Sequence, residues 1–145
     1  MRLVIQRCSR AAVHVDGTTV GAIESGALIL VAVSREDTEE QARYLAAKVS
    51  KLRIYDDSEG RLNASIQDVG GAFLVVSQFT LYGNCTKGNR PSYIQSAPPD
   101  PARHLYEAFV EYLRERGHHV ETGRFQETMQ VELVNDGPVT LIWGR

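Results

Sequence analysis

The chain opens with LVIQRCSRAAVHVDGTTVGAI at residues 3–23, and this stretch points to the fold class. Strand-like alternation begins at Leu3, and residues 12–15 continue the strand composition. Asp16-Gly17 is a dipeptide typical of a two-residue hairpin turn. We therefore expect Thr18–Ile23 to return as an antiparallel strand.

Further strands follow, and two helices are inserted between them. The runs ALILVAV at 27–33 and FLVV at 73–76 are continuously apolar, as in strands covered on both faces. A first helix is predicted from an N-cap at Asp37 or Thr38, with Gln41 as the capping-box partner of Thr38.

A second helix is predicted with Asp100 as N-cap, Pro101 at its first position and Gly117 at its end. Because the helices do not alternate with every strand, we predict an α+β fold with mostly antiparallel sheets, as one domain over residues 1–145.

Composition limits the class of protein. A hydrophobic content of 43% is typical of a globular domain, and a net charge of −2 excludes a binder held by strong overall positive charge. The only cysteines, Cys8 and Cys85, argue for a reducing compartment. With no signal-peptide pattern or long apolar run, we expect a soluble, cytoplasmic protein without a membrane partner.

Polar residues appear abruptly at the end of the 73–76 run, as Ser77-Gln78-Phe79-Thr80. Strand ends commonly present reactive groups, so this segment is a candidate site. The alternative is that Ser77 and Thr80 only satisfy local backbone groups.

Asn135-Asp136-Gly137-Pro138 interrupts two strand-like runs and predicts a tight turn. Residue statistics alone favour an ordinary trans bond before Pro138.

Basic residues are candidates for phosphate contacts. Lys87 and Arg90 lie in a loop-like segment, and Arg7 and Arg10 follow the first strand residues. With the basic residues of 48–53, they form a possible phosphate-binding rim.

Common catalytic motifs are missing from the sequence. There is no nucleophile elbow and no zinc-ligand spacing, so we expect no metal or other cofactor. Nothing near Cys85 would activate its thiol. His118-His119 follows Gly117 and is predicted to be a solvated helix end.

Three motifs occur in order along the chain: IQR with SRA at 5–11, SQFTL at 77–81 and NDGPVT at 135–140. GRF at 123–125 and MQV at 129–131 fit the approach to the last motif. Together they closely resemble the bacterial and eukaryotic D-aminoacyl-tRNA deacylases over essentially the whole length. Gln126-Glu127-Thr128 stands where relatives often carry small residues and is expected to narrow or charge the pocket edge.

The resemblance implies a homodimer with sheets rolled into a barrel-like layer and helices outside. It implies a cis Gly137-Pro138 bond that reaches across the two-fold axis to the partner's residues 77–80. It also implies D-aminoacyl-tRNA as the substrate, and neither DNA nor a membrane as a partner. The implied substrate-binding residues are Gly137, Pro138, Met129, Phe125 and Arg7; Lys87 and Arg90 are expected to contact tRNA.

A wall of main-chain carbonyl groups, here called the carbonyl wall, suits an enzyme that accepts many D-side chains. Side-chain pockets discriminate by only about 1–3 kcal/mol per methylene and favour particular residues. Main-chain carbonyls beside the substrate Cα leave room for a hydrogen and clash with a carbon, which excludes every L-residue alike. Gly137 permits a close approach because it has no Cβ.

For the chemistry, backbone N–H groups near Phe79 and Thr80 are candidates to stabilise the oxyanion, with Ser77 or Gln78 orienting the carbonyl. We favour hydrolysis assisted by the ribose 2′-hydroxyl, as the resemblance implies. Two alternatives stay open: an esterase with Thr80 or Ser77 as nucleophile, and a non-catalytic RNA-binding module.

Overall fold

The computed structural model describes residues 1–144, which form a rolled sheet with two helices packed outside it. The elements in chain order are β1 (Arg2–Val15), β2 (Thr18–Ile23), β3 (Gly26–Ala32), α1 (Glu39–Val49), β4 (Arg53–Asp56), β5 (Leu62–Ser65), β6 (Ala72–Ser77), α2 (Pro99–Arg114), β7 (Val120–Thr122) and β8 (Gln130–Gly144). The predicted α+β class is confirmed. The domain predicted over 1–145 ends at Arg145, which lies outside the described residues.

The opening hairpin forms as predicted. Asp16 and Gly17 have φ values of 48° and 77°, as a two-residue turn between twisted antiparallel strands requires. Beyond the turn, β1 and β2 pair antiparallel from Val15 and Thr18 to Ala11 and Ile23.

The long strand β1 organises the sheet. Its first half, Arg2–Cys8, pairs with β3, and its second half, Ala11–Val15, pairs with β2. Strand β8 follows the other edge of β1. The strands β3, β6 and β7 run parallel to one another, so the sheet is mixed, with antiparallel pairs in the majority.

The two ends of the sheet approach each other, which gives the barrel-like shape. A Cβ placed on Gly21 of β2 would lie 2.4 Å from the carbonyl oxygen of Thr122 in β7. Only glycine allows the two backbones to come so close. The rolled layer that the family resemblance implied is thus present.

The apolar run in β3 separates two hydrophobic clusters, as its composition predicted. Ile29 and Val31 pack towards α1 and α2 with Phe73, whereas Leu28 packs inside the rolled sheet with Leu74. Strand β3 therefore presents apolar side chains on both faces.

The first helix begins as predicted, and the second begins earlier. Thr38 caps α1, and Gln41 completes the capping box. The predicted N-cap of α2 at Asp100 is wrong, because the helix starts at Pro99 and Asp100 lies in its first turn. The two prolines at 98 and 99 fix backbone angles that are already compatible with helix entry.

Gly117 terminates α2 as predicted, three residues after the last helical residue Arg114, but His118 is not solvated. Gly117 has φ 85° and its N–H donates to Arg114 O, while His118 N–H donates to Leu113 O, which is a Schellman ending. This reversal turns His118 inward, where its ring meets Phe73 edge to face. Burial lowers the His118 pKa below its ordinary value.

The segment 135–138 is not the turn of a hairpin. Strand β8 pairs with β1 on both sides of it, Asn135 with Cys8 and Thr140 with Gln6. The residues between Asn135 and Thr140 therefore bulge out of a continuous strand. The Gly137-Pro138 bond within this bulge is cis, as the resemblance implied.

Within residues 1–144, neither helix has the length and apolar character needed to cross a bilayer.

Candidate active site

A cleft of about 680 Å³ opens where β3 and β6 end. The ends of β3 and β6 form one wall, and the start of α2 with its preceding residues Ser96–Pro98 forms another. The segment from Phe125 to Val131 completes the lining. Parallel strand ends that meet at one edge of a sheet are a common location for binding sites.

Three of the four predicted strand-end residues line this cleft. They are Ser77, Gln78 and Phe79, whereas Thr80 is not part of the lining. The Gln78 side-chain amide donates to the Thr80 hydroxyl, so the two side chains are coupled. The Gln78 backbone N–H donates to Val31 O at 2.7 Å, which ties the segment to β3.

The backbone after Gln78 turns into one 3-10 turn, Phe79–Tyr82, that sequence reasoning missed. Leu81 N–H donates back to Gln78 O, and Gly83 N–H donates to Thr80 O. The N–H groups of Phe79 and Thr80, the first two residues of this turn, have no backbone acceptor within residues 1–144. Two adjacent donors without partners beside a cleft can bind a developing negative charge.

The opposite wall includes both predicted residues of the last section, Phe125 and Met129. Phe125 packs against Tyr106 with ring centroids 5.9 Å apart. The Tyr106 hydroxyl donates to Val75 O at 2.8 Å, and burial raises the pKa of this phenol. It therefore stays a neutral hydrogen-bond donor that holds α2 against β6.

Two charged residues also line the cleft, and one of them, Arg35, was not assigned to the site by sequence reasoning. Arg35 is fixed by donation from its Nε to Ile94 O at 2.7 Å. The other is Glu127, so the charge expected at the pocket edge is present. No sequence motif identifies Arg35 as a site residue. It lines the cleft because it lies just after the end of β3.

Within residues 1–144, the lining contains no histidine, lysine or cysteine. Cys8 is buried elsewhere, and burial raises its pKa, while Cys85 lies in an exposed loop outside the cleft. No cluster of three or more His, Cys, Asp or Glu side chains suited to a metal occurs in residues 1–144.

The bulge with Gly137 and Pro138 lies away from the cleft of its own chain, and neither residue lines it. Val131 lines the cleft, and a strand advances about 3.3 Å per residue, so Asn135 is already about 13 Å further along β8.

Arg7 does not line the cleft but holds the bulge. Its side chain is buried; Nε donates to Asp136 O at 3.0 Å, and NH1 donates to Ile54 O at 2.8 Å. Asn135 adds a second clamp, since its amide donates to Arg7 O and Val139 O. Within one chain, Arg7 therefore contacts the bulge. Its contact with the substrate stays a prediction.

The residues of the possible basic rim have different environments in the structure. Arg10 forms an ion pair with Glu132 at 2.9 Å, and Arg7 is buried. Lys87 and Arg90 are exposed in the loop between Asn84 and Ser92, and outside the cleft lining. The environments of Arg7 and Arg10 depend on the pairing of β1 with β8, which the linear sequence does not reveal.

Comparison with known proteins places this arrangement in a family. Residues 4–144 match the protein family described as D-Tyr-tRNA(Tyr) deacylase. The chain belongs to this deacylase family. The matched range includes the bulge and every residue that lines the cleft. Membership in this family confirms the prediction that the protein is an enzyme of the hydrolase class.

Individual relatives agree with this deacylase assignment. The chain is similar to the D-aminoacyl-tRNA deacylases of Thermotoga petrophila, at 56% identity over 98% of this chain and 95% of the relative, and of Thermus aquaticus, at 57% identity over 98% and 93%.

Two solved structures share the fold. One, named c-Myc DNA Unwinding Element Binding Protein, has a TM-score of 0.94 at 36% identity and covers 100% of this chain and 99% of its own. The other, titled as a probable eukaryotic D-amino acid tRNA deacylase, has a TM-score of 0.83 at 19% identity, covers 98% and 97%, and supports the fold alone.

Proposed function

We propose that this protein hydrolyses the ester bond of D-aminoacyl-tRNA and releases free tRNA and the D-amino acid. The observation that carries the proposal is the cleft at the end of β6, where Ser77, Gln78 and Phe79 meet beside free backbone donors. The relatives named D-aminoacyl-tRNA deacylase support the substrate class.

In this proposal a water molecule attacks the ester carbonyl, and the tetrahedral intermediate carries the negative charge on the former carbonyl oxygen. The N–H groups of Phe79 and Thr80 donate to that oxygen. The C–O bond to the terminal ribose then breaks, and the ribose oxygen takes the proton that the water lost. The neighbouring 2′-hydroxyl of the ribose orients the water and relays this proton.

A second copy of the chain completes the site. The bulge with Gly137 and Pro138 is directed away from its own cleft, and therefore acts only in the cleft of a partner. There its carbonyl oxygens lie beside the substrate Cα, leave room for a hydrogen and exclude an L-side chain.

An apolar face on β8 supports this homodimer. Val134 and Ile142 are exposed, and Ile142 keeps 78% of its surface open. Exposed apolar patches mark interaction surfaces, and a two-fold axis through β8 would bury the face and insert both bulges at once.

Lys87 and Arg90 are proposed to contact the tRNA. Both are exposed, and neither has an ion-pair partner among residues 1–144, so their charges are free for phosphates. We also propose that the protein acts on tRNA in the cytoplasm, with neither DNA nor a membrane as a partner.

Three substrates test the proposed function directly. We expect hydrolysis of D-Tyr-tRNA and of Gly-tRNA, but no acceleration for L-Tyr-tRNA, because glycine has no side chain for the carbonyl wall to exclude. The measurement is the loss of labelled amino acid from each tRNA, with buffer alone as control. Cleavage of D-Tyr-tRNA with full resistance of Gly-tRNA would contradict the exclusion mechanism.

Replacing Thr80 with alanine separates assisted hydrolysis from a covalent mechanism. Since the cleft lining contains no histidine or lysine to take a proton, we expect kcat to fall by about tenfold or less, through loss of the Gln78 contact. Thr80→Ser is the matched control. A fall of several orders of magnitude with unchanged tRNA affinity would instead make Thr80 a nucleophile.

Two other functions are less well supported. An RNA-binding module without catalysis would not need the unpaired donors at Phe79 and Thr80. An esterase with Ser77 as nucleophile would need a base in the cleft, and among the described residues 1–144 the only carboxylate in the lining belongs to Glu127.

A further inference from the structure

Two aromatic side chains border the cleft, and the chemistry proposed above does not use their rings. Phe79 is 56% exposed and Tyr93 is 37% exposed, although both line the cleft. Their ring centroids lie 5.1 Å apart in an edge-to-face arrangement. Large aromatic rings left open at a binding cleft indicate a ligand that extends beyond it.

The backbone holds both rings in place before any ligand binds. Ser96 fixes them together, because its hydroxyl donates to Phe79 O at 3.1 Å and its N–H donates to Tyr93 O at 3.0 Å. The Tyr93 ring also packs on bare backbone, since a Cβ on Gly83 would lie 3.1 Å from a ring carbon. A preorganised aromatic surface loses little conformational entropy on binding.

Positive charge lies next to these rings in the chain. Asn84 and Ser92 pair across the base of a loop that contains Lys87 and Arg90, and Tyr93 follows directly. The Asn84 carboxamide oxygen accepts hydrogen bonds from the N–H and hydroxyl of Thr86, which orders the start of this loop. Aromatic rings beside unpaired cations are the combination that binds single-stranded nucleic acid, through base stacking and phosphate contacts.

Resting on the proposed hydrolysis of aminoacyl-tRNA, we infer that Phe79 and Tyr93 form a stacking subsite. It binds the base of the nucleotide next to the terminal adenosine, where the single-stranded 3′ end leaves the cleft. Lys87 and Arg90 then lie on the side from which further phosphates approach. A second copy of the chain fits this surface less well, because the apolar face on β8 is a separate surface and partner chains need no unpaired cations.

Paired substrates test the subsite. We expect Tyr93→Leu to lower kcat/KM for a D-tyrosylated RNA minihelix at least about fivefold more than for D-tyrosyl-adenosine, which lacks the neighbouring nucleotide. Tyr93→Phe keeps the ring and should keep the wild-type ratio of the two substrates. An unchanged ratio in Tyr93→Leu would overturn the inference, even if both activities fell together through misfolding.

A binding measurement distinguishes stacking from charge and needs no turnover. A minihelix with 2-aminopurine at the penultimate position should lose fluorescence on binding the wild type and much less on binding Tyr93→Leu. The slope of log Kd against log salt should stay the same in Tyr93→Leu, whereas Lys87→Gln should reduce it by about 0.7.

Two outcomes would argue against this subsite in different ways. Equal quenching by the wild type and Tyr93→Leu would place the base elsewhere. Dissociation of copies in Tyr93→Leu, seen by sedimentation with an unchanged substrate ratio, would assign the rings to a protein interface. If the wild type cleaved neither substrate, the proposed hydrolysis would fail, and the quenching would still decide the subsite.

Discussion

Gly137→Ala is expected to lower kcat/KM for D-Tyr-tRNA by about 100-fold, the size of effect that a misplacement of about 1 Å at a reacting centre produces. In the proposed dimer this residue carries the carbonyl wall beside the substrate Cα. An added methyl group would occupy space that the substrate needs in the partner's cleft. The measurement is initial-rate hydrolysis of D-Tyr-tRNA and Gly-tRNA.

The fold of each chain should survive this substitution, which makes the activity loss interpretable. A Cβ on Gly137 meets only the side-chain oxygen of Asn135, at 3.2 Å, a contact that a small side-chain shift relieves. Thermal unfolding and sedimentation are therefore the controls, and both should match the wild type. Full activity in a folded dimer would show that the bulge does not approach the substrate.

Arg7→Met is expected to reduce the free energy of unfolding by about 2–4 kcal/mol and to weaken discrimination between D- and L-Tyr-tRNA. The substitution removes the donors to Asp136 O and Ile54 O and leaves those carbonyls without their partner. The Asp136 carboxylate, 3.1 Å from Arg7 Nε, also loses its ion pair. Chemical denaturation and the ratio of the two hydrolysis rates are the measurements.

Arg10→Met is the matched control for Arg7→Met. Arg10 lies on the same strand and also forms an ion pair to β8, but its side chain and that of Glu132 are both more than half exposed. Exposed pairs contribute about 0–1 kcal/mol, so this variant should remain close to the wild type in stability and selectivity. Equal effects of the two substitutions would refute a specific role of Arg7 in holding the bulge.

Local sequence signals predicted many of the elements. Asp16-Gly17 specified its turn because few dipeptides adopt positive φ at two successive positions. Thr38 and Gln41 specified the start of α1 because the capping box involves only neighbouring residues. The short strand β5 and the 3-10 turn after Gln78 were missed, since neither has a strong periodic pattern.

Two of the predictions that failed depend on groups far apart in the chain. The 135–138 segment has the composition of a hairpin turn, and it bulges from one strand instead because β1 pairs with β8 on both sides of it. His118 follows a helix-ending glycine, yet the ring of Phe73 covers it. In each case a tertiary partner overrides the local preference.

The residues of the candidate site also fall into those that the sequence predicted and those that only the tertiary structure decided. Residues 77–79 and the pair Phe125 and Met129 could be selected from the order of residues, because strand ends and family motifs are written in consecutive positions. The inclusion of Arg35 in the lining, the separation of Gly137 from its own cleft and the burial of Arg7 were decided by the rolled sheet. Hydrogen-bonding preferences of neighbouring residues act over a few positions, whereas strand register and sheet closure join residues more than a hundred positions apart, and only packing in three dimensions selects among those pairings.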